Sequence, residues 1–408
     1  MKRRVVVTGG SIVSSLGIED EEVMKSLHEC RNRTMLMEGW QRYQGLRPQI
    51  AAPVTAPLKP FGRKVTRGMG RVAVLALNAT DNALEKAGLK DSPELQNGRS
   101  GIAYGSSAGD VDALLDFYDL LINNTTKKLS ATTYIKAMPQ TCAANLSVHY
   151  GLCGRLYTTN TACTSGSMSI GYAFEAIQNG IQDIMIAGGA EELSPADVGV
   201  FDTLFSASTD NEHPERTPRA YDRDRDGLVI GEGAGTLILE EYEHAVKRGA
   251  TIYAEIVGFA TNTDGTHITH PNRDTIAAVM RLALENAGIT ADDIAYINTH
   301  GTATVSGDVV ETCATYDVFN RAVPISTVKS YTGHTLGACG AIEAWTSILM
   351  QREGWFCPNL NLENVDPDCA PLDYIMKTGR NIDAQYIMSN NFAFGGINTS
   401  LVIKRFDR

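Results

Sequence analysis

The segments Ile184-Met-Ile-Ala-Gly-Gly-Ala-Glu-Glu and Ala234-Gly-Thr-Leu-Ile-Leu-Glu are echoed, in the same order, by Tyr386-Ile-Met-Ser-Asn-Asn-Phe and Asn398-Thr-Ser-Leu-Val-Ile-Lys. The helix-patterned stretch that follows Cys163 has a counterpart in Gly340 to Met350, where Ile342, Trp345 and Leu349 share an apolar face after the strand-like Pro324 to Val328. A chain that repeats its elements in order builds two like halves, and strands alternating with helices predict mostly parallel sheets covered by helices. The boundary falls near residue 250, giving halves of residues 1–250 and 251–408. Asp110 to Pro139 and Leu204 to Arg219 have no counterpart and suit caps or partner surfaces. No stretch rich in Pro, Gly or Ser separates the halves as independently moving bodies.

Cys163 lies in Thr-Ala-Cys-Thr-Ser-Gly, between a β-branched run, Tyr157 to Thr161, and a helical segment, Ser165 to Asn179. Ile170, Ala173, Phe174 and Ile177 fall at i, i+3, i+4 and i+7, which puts the thiol at the amino-terminal end of the helix. Free backbone N–H groups and the helix dipole favour thiolate there, the form that attacks carbonyl carbon. Asn298-Thr-His300-Gly-Thr-Ala-Thr304 and Lys329-Ser-Tyr-Thr-Gly-His334-Thr-Leu-Gly-Ala add two imidazoles in Gly-containing turns. One cysteine alone is more often a small core hydrophobe, and one His beside Gly is more often a hydrogen-bonded loop residue. The combination carries the case.

Three other patterns compete. Gly105-Ser-Ser-Ala-Gly109 matches the serine-hydrolase elbow after a strand-like run, but its Asp and His partners can be found in almost any long chain. Gly231-Glu-Gly-Ala-Gly imitates a dinucleotide loop yet precedes the strand-like Thr236 to Leu239 instead of following a strand. His267 and His270 with Asp264 lack a fourth ligand, and a structural or substrate-lining loop is expected of them.

The chain resembles the β-ketoacyl-acyl-carrier-protein synthases of the thiolase superfamily, the elongating ketosynthases with a Cys-His-His triad. The resemblance runs from Val5-Val-Val-Thr-Gly-Gly through Met138-Pro-Gln, Asn145-Leu-Ser, Tyr221-Asp-Arg-Asp-Arg-Asp-Gly and Gly231-Glu-Gly-Ala-Gly to Asn390-Asn-Phe-Ala-Phe-Gly-Gly, and includes both His motifs. It implies a five-layered αβαβα thiolase-like α/β fold made of two duplicated halves. It also implies a decarboxylating Claisen condensation of acyl-carrier with malonyl-carrier. Cys163 is then the nucleophile, His300 and His334 stabilise the enolate, and Lys329 sets the local charge or meets the departing carboxylate. Phe394 supplies the second oxyanion donor beside the N–H of Cys163, and Phe392 and Phe394 gate the site. Asp308, Glu311 and Glu343 orient these groups, Thr302 and Thr304 meet the pantetheine amides, and His267 lies near the entrance. Lys64, Arg67, Lys127 and Lys128 would receive an acidic carrier protein. The expected assembly is a homodimer or a heterodimer with a chain-length-factor-like homologue. A coenzyme A-dependent thiolase is the competing activity, as is a ketosynthase subunit that works only with such a partner. Thr164, Val305-Ser306, Ala393, Gly68 and Asp210 depart from the family pattern, and the changes beside the chemistry, with Asp210, point to a type II polyketide or aryl polyene line.

Composition sets the remaining bounds. A formal net charge of −11 argues against nucleic acid as partner. No apolar run approaches the roughly 18 residues of a membrane span, and the apolar stretch after Lys2-Arg3-Arg4 ends at Thr8, too soon for a signal peptide. A cytoplasmic enzyme follows as the expectation. The eight scattered cysteines show no metal-ligand spacing, so free thiols, no metal and no cofactor beyond the carrier's phosphopantetheine are expected.

Overall fold

The computed structural model describes residues 2–407. Its amino-terminal half runs β1 (Val5–Ser14), α1 (Arg71–Lys86), β2 (Ser100–Gly105), α2 (Thr141–Tyr150), β3 (Leu156–Thr159), α3 (Ser165–Gln178), β4 (Ile184–Glu191) and β5 (Gly233–Glu241). The carboxy-terminal half runs β6 (Ala254–Thr263), α4 (Arg273–Ala287), β7 (Ile294–Asn298), α5 (Val305–Phe319), β8 (Pro324–Ser326), α6 (Cys339–Glu353), β9 (Asp373–Tyr374), β10 (Tyr386–Ala393) and β11 (Ile397–Arg405).

The spatial order is β3-β2-β4-β5-β1 in the first half and β9-β8-β7-β10-β11-β6 in the second. Without the edge strand β9, the two paths are the same. The halves touch edge to edge where Val5–Val7 pair with Ala254–Ile256. The repeats seen in sequence therefore occupy equivalent places: β4 matches β10, β5 matches β11, and α3 matches α6. The sheets are less parallel than expected. β2 pairs in parallel with β3 and β4, but β4–β5 and β5–β1 are antiparallel. In the second half the short turn between Ala393 and Ile397 forces β10 and β11 to run antiparallel.

Helices α1 and α2 cover the outer face of the first sheet, α4 and α5 the outer face of the second, and α3 and α6 lie together between the sheets. Three core clusters fill the spaces so formed. β4 is buried at every position because both of its faces are covered, which is why it reads as a continuous apolar run. The predicted face of α3 is buried, and so are Gly166, Ser167, Ser169 and Ala176 on its other sides. Only Tyr172 and Glu175 of this central helix are exposed, and its small residues reflect close approach. A Cβ on Gly340 of α6 would lie 2.6 Å from the backbone nitrogen of Ser167, and one on Gly235 of β5 would lie 2.5 Å from that of Ile342. Gly233 and Gly235 of Gly231-Glu-Gly-Ala-Gly thus seat α6 on the sheet.

Candidate active site

Cys163 occupies a single 3-10 turn, Ala162–Thr164, that runs straight into α3. Ala162 takes φ +49, a conformation that side-chain-bearing residues seldom adopt. The turn is pinned by Ser165 Oγ, which donates to Ala162 O at 2.7 Å and accepts from Thr161 N at 3.0 Å. The second half repeats the device: Leu336–Ala338 forms a 3-10 turn into α6, with Leu336 at φ +46. The buried Glu191 ties the surroundings of both turns together. It accepts from Ser107 N at 2.8 Å and Gly337 N at 3.0 Å through Oε2, and from Ser106 Oγ at 2.9 Å through Oε1. The serines of the hydrolase-like motif are therefore engaged by a carboxylate, and no imidazole activates them.

His334 Nε2 lies 3.0 Å from Cys163 Sγ. Its Nδ1 accepts from Leu336 N at 3.3 Å, so the hydrogen of the neutral ring sits on Nε2 and points into the site. His300 follows β7, and its ring stands edge-on to that of His334 with centroids 5.3 Å apart. The His300 turn is held by Glu311, which accepts from His300 N at 2.7 Å and Gly301 N at 2.8 Å. Asp308 accepts from Tyr221 N at 2.7 Å and Ala303 N at 3.1 Å, with Arg225 buried beside it. The reactive atoms of Cys163, His300 and His334 all lie within 4.8 Å of one another and form the one metal-ligand-type cluster among the described residues.

Lys329 is buried and pairs with Glu343 at 2.5 Å, while the other Glu343 oxygen accepts from Asn391 Nδ2 at 2.7 Å. The ammonium does not line the cavity, so its influence on the site is electrostatic. Burial, then the Lys329 charge, holds both imidazoles well below the usual histidine range. Burial also pushes the Cys163 thiol up to about 11, against the pull of Lys329 and the backbone N–H groups of Phe394 and Cys163. Desolvation thus opposes the thiolate that the helix start was expected to favour, and it is the largest influence on the Cys163 thiol.

A cavity of about 300 Å³ opens onto these groups. Phe392, Phe394, Thr302 and Thr304 line it, as the sequence suggested, with Phe394 packed on Phe201 at 5.3 Å between ring centroids. His267 does not line it. His267 Nδ1 accepts from the backbone of Thr269 and His270, and those two residues form the wall in its place. Lys64, Arg67, Lys127 and Lys128 are exposed and lie off the cavity lining. The sequence reading missed Glu191, whose only signal was its place at the end of a repeated strand, and Phe201, which carried none. Cys339 Sγ lies 3.2 Å from Cys163 O and off the cavity lining.

Two family models match the chain: "Beta-ketoacyl synthase, N-terminal domain" over residues 2–245 and "Beta-ketoacyl synthase, C-terminal domain" over residues 253–363. The chain is 37% identical to 3-oxoacyl-[acyl-carrier-protein] synthase 1 of Haemophilus influenzae, over 99% of this chain and 100% of the relative. Among solved structures, a beta-ketoacyl synthase from Burkholderia phymatum superposes with a TM-score of 0.98 at 51% identity, covering both chains completely. The ishigamide ketosynthase/chain length factor gives 0.90 at 30% identity, again with both chains covered.

Proposed function

The chain belongs to the β-ketoacyl synthase family, and from that membership we propose that it condenses acyl-carrier with malonyl-carrier to give β-ketoacyl-carrier and carbon dioxide. The observation that carries the reading is the convergence of Cys163 with His300 and His334, both rings neutral.

In the first half-reaction the Cys163 sulfur attacks the thioester carbonyl, and its proton passes through solvent to the carrier sulfur that leaves. The oxyanion forms against the N–H groups of Cys163 and Phe394, and the carrier thiol leaves with a proton. In the second, malonyl-carrier loses carbon dioxide as its C–C bond electrons pass into an enolate. The Nε2–H of His334 and the N–H of His300 hold the enolate oxygen, and the carbanion attacks the acyl group on Cys163. Cleavage of the C–S bond releases β-ketoacyl-carrier and leaves the Cys163 sulfur as thiolate, which takes a proton from solvent. Neutral imidazoles suit this step because they donate hydrogen bonds without protonating the carbanion. Burial keeps them neutral, and the Lys329 charge adds to its effect. Thr302 and Thr304 line the path of the pantetheine amides. No metal or soluble cofactor enters the scheme, and a thiolase-type base is not required; Cys339, the nearest second thiol, faces a carbonyl away from the cavity.

Lys64, Arg67, Lys127 and Lys128 receive an acidic carrier. The enzyme acts in the cytoplasm, and no helix among the described residues is long and apolar enough to cross a membrane. It pairs with a second ketosynthase-fold subunit, either its own copy or a chain-length-factor-like homologue. Two observations favour pairing: the edge strand β3 has only β2 as neighbour, with Leu156 exposed, and the helix Val111–Asn123 exposes Leu115, Tyr118, Leu121 and Ile122. A specialised polyketide or aryl polyene pathway is favoured by the departures Ser306 and Ala393, both of which line the cavity.

Incubation with hexanoyl-carrier, then malonyl-carrier, tests the reading. It predicts a hexanoyl adduct on Cys163 by intact mass and peptide mapping, followed by a β-ketooctanoyl-carrier. An enzyme that never acquires the adduct overturns it.

A further inference from the structure

We propose that Cys163, His300 and His334 are also a three-ligand site for a zinc-class dication, and that metal at this site and an acyl group on Cys163 exclude each other. The ligand set stands on geometry; the exclusion rests on the ketosynthase reading, which puts the acyl group on that sulfur.

Cys163 Sγ and His334 Nε2 are 3.0 Å apart, and one donor atom from each of the three side chains falls within 4.8 Å of the others. Tetrahedral zinc, with bonds of about 2.3 Å to sulfur and about 2.0–2.1 Å to nitrogen, holds such donors roughly 3.3–3.6 Å apart. The separations bracket that range, so side-chain movements of about 1 Å seat the ion. One thiolate with two imidazoles is a borderline-soft donor set, suited to zinc and unsuited to magnesium or calcium. The sequence shows no metal-ligand spacing because the donors come from three distant segments: the turn before α3, the turn after β7 and the bend ahead of α6.

The three residues are 5, 8 and 2% exposed, yet all line one cavity of about 300 Å³, which leaves room for a water as fourth ligand. Nδ1 of His300 is buried without a hydrogen-bond partner among the described residues, so the chain does not commit that ring to one tautomer. His334 gives up only the long bond from Leu336 N, at 3.3 Å, when its hydrogen moves from Nε2 to Nδ1. Among the charged groups beside the site, Lys329 opposes a dication, but it is paired with Glu343, and Glu311 adds a carboxyl to the cavity wall.

Binding is a proton exchange. The Cys163 S–H bond breaks, its proton passes to solvent, and the sulfur electron pair forms the bond to the metal. Each imidazole donates a nitrogen lone pair and stays neutral, so one proton leaves per ion and no oxidant or reductant is needed. Sulfur held by the ion is not free to attack a thioester, and sulfur already acylated has no proton to exchange for metal.

The test titrates Co²⁺, which reports thiolate ligation by a sulfur-to-metal charge-transfer band, into full-length protein, and then displaces it with Zn²⁺. One equivalent is expected to bind, with the band present and one proton released per ion by calorimetry in buffers of different ionisation enthalpy. Cys163→Ala abolishes the band, and His300→Ala and His334→Ala each weaken binding by more than the roughly 10–100-fold that loss of an outer-shell partner costs. Cys153→Ala, which removes an exposed thiol, leaves the band in place. Wild-type protein without a band overturns the inference, as does a band that survives Cys163→Ala or vanishes with Cys153→Ala. Because an Ala variant can fail to fold, wild-type protein alkylated at Cys163 by iodoacetamide, with the site confirmed by peptide mapping, gives a second reading: a band that persists there also overturns it. Enzyme carrying hexanoyl-Cys163, confirmed by mass, is expected to bind no Co²⁺, and metal binding to that adduct overturns the exclusion. Protein that shows the band but never forms the adduct with hexanoyl-carrier would instead remove the ketosynthase reading and keep the ligand set.

Discussion

The Lys329 ammonium and the Glu343 carboxylate lie 2.5 Å apart, both sealed from solvent behind the two catalytic imidazoles. Lys329→Met leaves Glu343 buried without its counter-charge, so a loss of stability of about 3 kcal/mol is expected. It also removes the charge that disfavours imidazolium. The acidic limb of the decarboxylation pH profile should therefore move upward, toward the ordinary histidine value. Chemical denaturation and a pH–rate profile measure the two effects separately, and a profile that does not move would separate Lys329 from the imidazoles.

The two half-reactions draw on different groups. Cys163→Gln abolishes acyl-enzyme and condensation but keeps or increases carbon dioxide release, because malonyl-carrier still meets His300 and His334. His334→Ala lowers decarboxylation by about a hundredfold or more, the usual cost of losing an oxyanion donor, while Cys163 still accepts an acyl group in part. Labelled carbon dioxide, followed beside the acyl-Cys163 mass, decides the assignment. The roles are wrong if the Gln variant is silent and the Ala variant is not.

Burial of neutral histidines makes stability depend on pH in a definite direction. His334 stays uncharged in the fold well below 6.5, whereas the unfolded chain protonates it near about 6.5. Below that value the unfolded state binds the extra proton, so stability present at neutral pH falls as the solution is acidified. Buried acids such as Glu311, pushed up to about 7, work in the opposite sense between roughly pH 4 and 7, so the measurement must be a difference. The stability gap between wild type and His334→Gln should shrink below about pH 6.5 by up to about 1.4 kcal/mol per pH unit. A constant gap in denaturant midpoints would show that His334 titrates normally.

Gly340→Ala places a Cβ 2.6 Å from Ser167 N, where neither helix backbone can easily yield. A destabilisation of about 1–3 kcal/mol is expected. Because α3 and α6 bring Cys163 and His334 together, condensation should slow as well. A variant as stable and as fast as wild type would mean that the crossing is looser than these distances require.

Charge reversal of Lys64 and Arg67 to Glu should raise KM for hexanoyl-carrier and flatten its dependence on salt, with hexanoyl-pantetheine unaffected. An unaltered salt slope would remove these two residues from docking.

The ordered repeats predicted the fold because each half folds along the same path, and a path is recorded in the order of strands and helices. Cys163, His300 and His334 were legible for a local reason: each stands in a short turn whose glycines and small residues are visible in the sequence. The protonation of Cys163 was not legible. It depends on the layers closing above and below the helix start, and no local pattern reports how dry that position becomes. Glu191 was hidden for a similar reason, since its partners Ser106, Ser107 and Gly337 come from widely separated segments. The antiparallel pairs were missed because periodicity gives strand existence and not direction. His270 replaced His267 at the wall because the turn that both occupy folds the first ring back onto its own backbone.

The paired turns at Ala162 and Leu336 divide the labour between two like halves. The first half presents Cys163 in the turn before its helix, and the second places His334 just ahead of the corresponding bend. Neither half contains the whole group, and the helices that follow the two turns pack on each other between the sheets. The chemistry is therefore a property of the seam. A substitution that merely slides one repeat against its twin can silence the enzyme while every catalytic side chain remains in place.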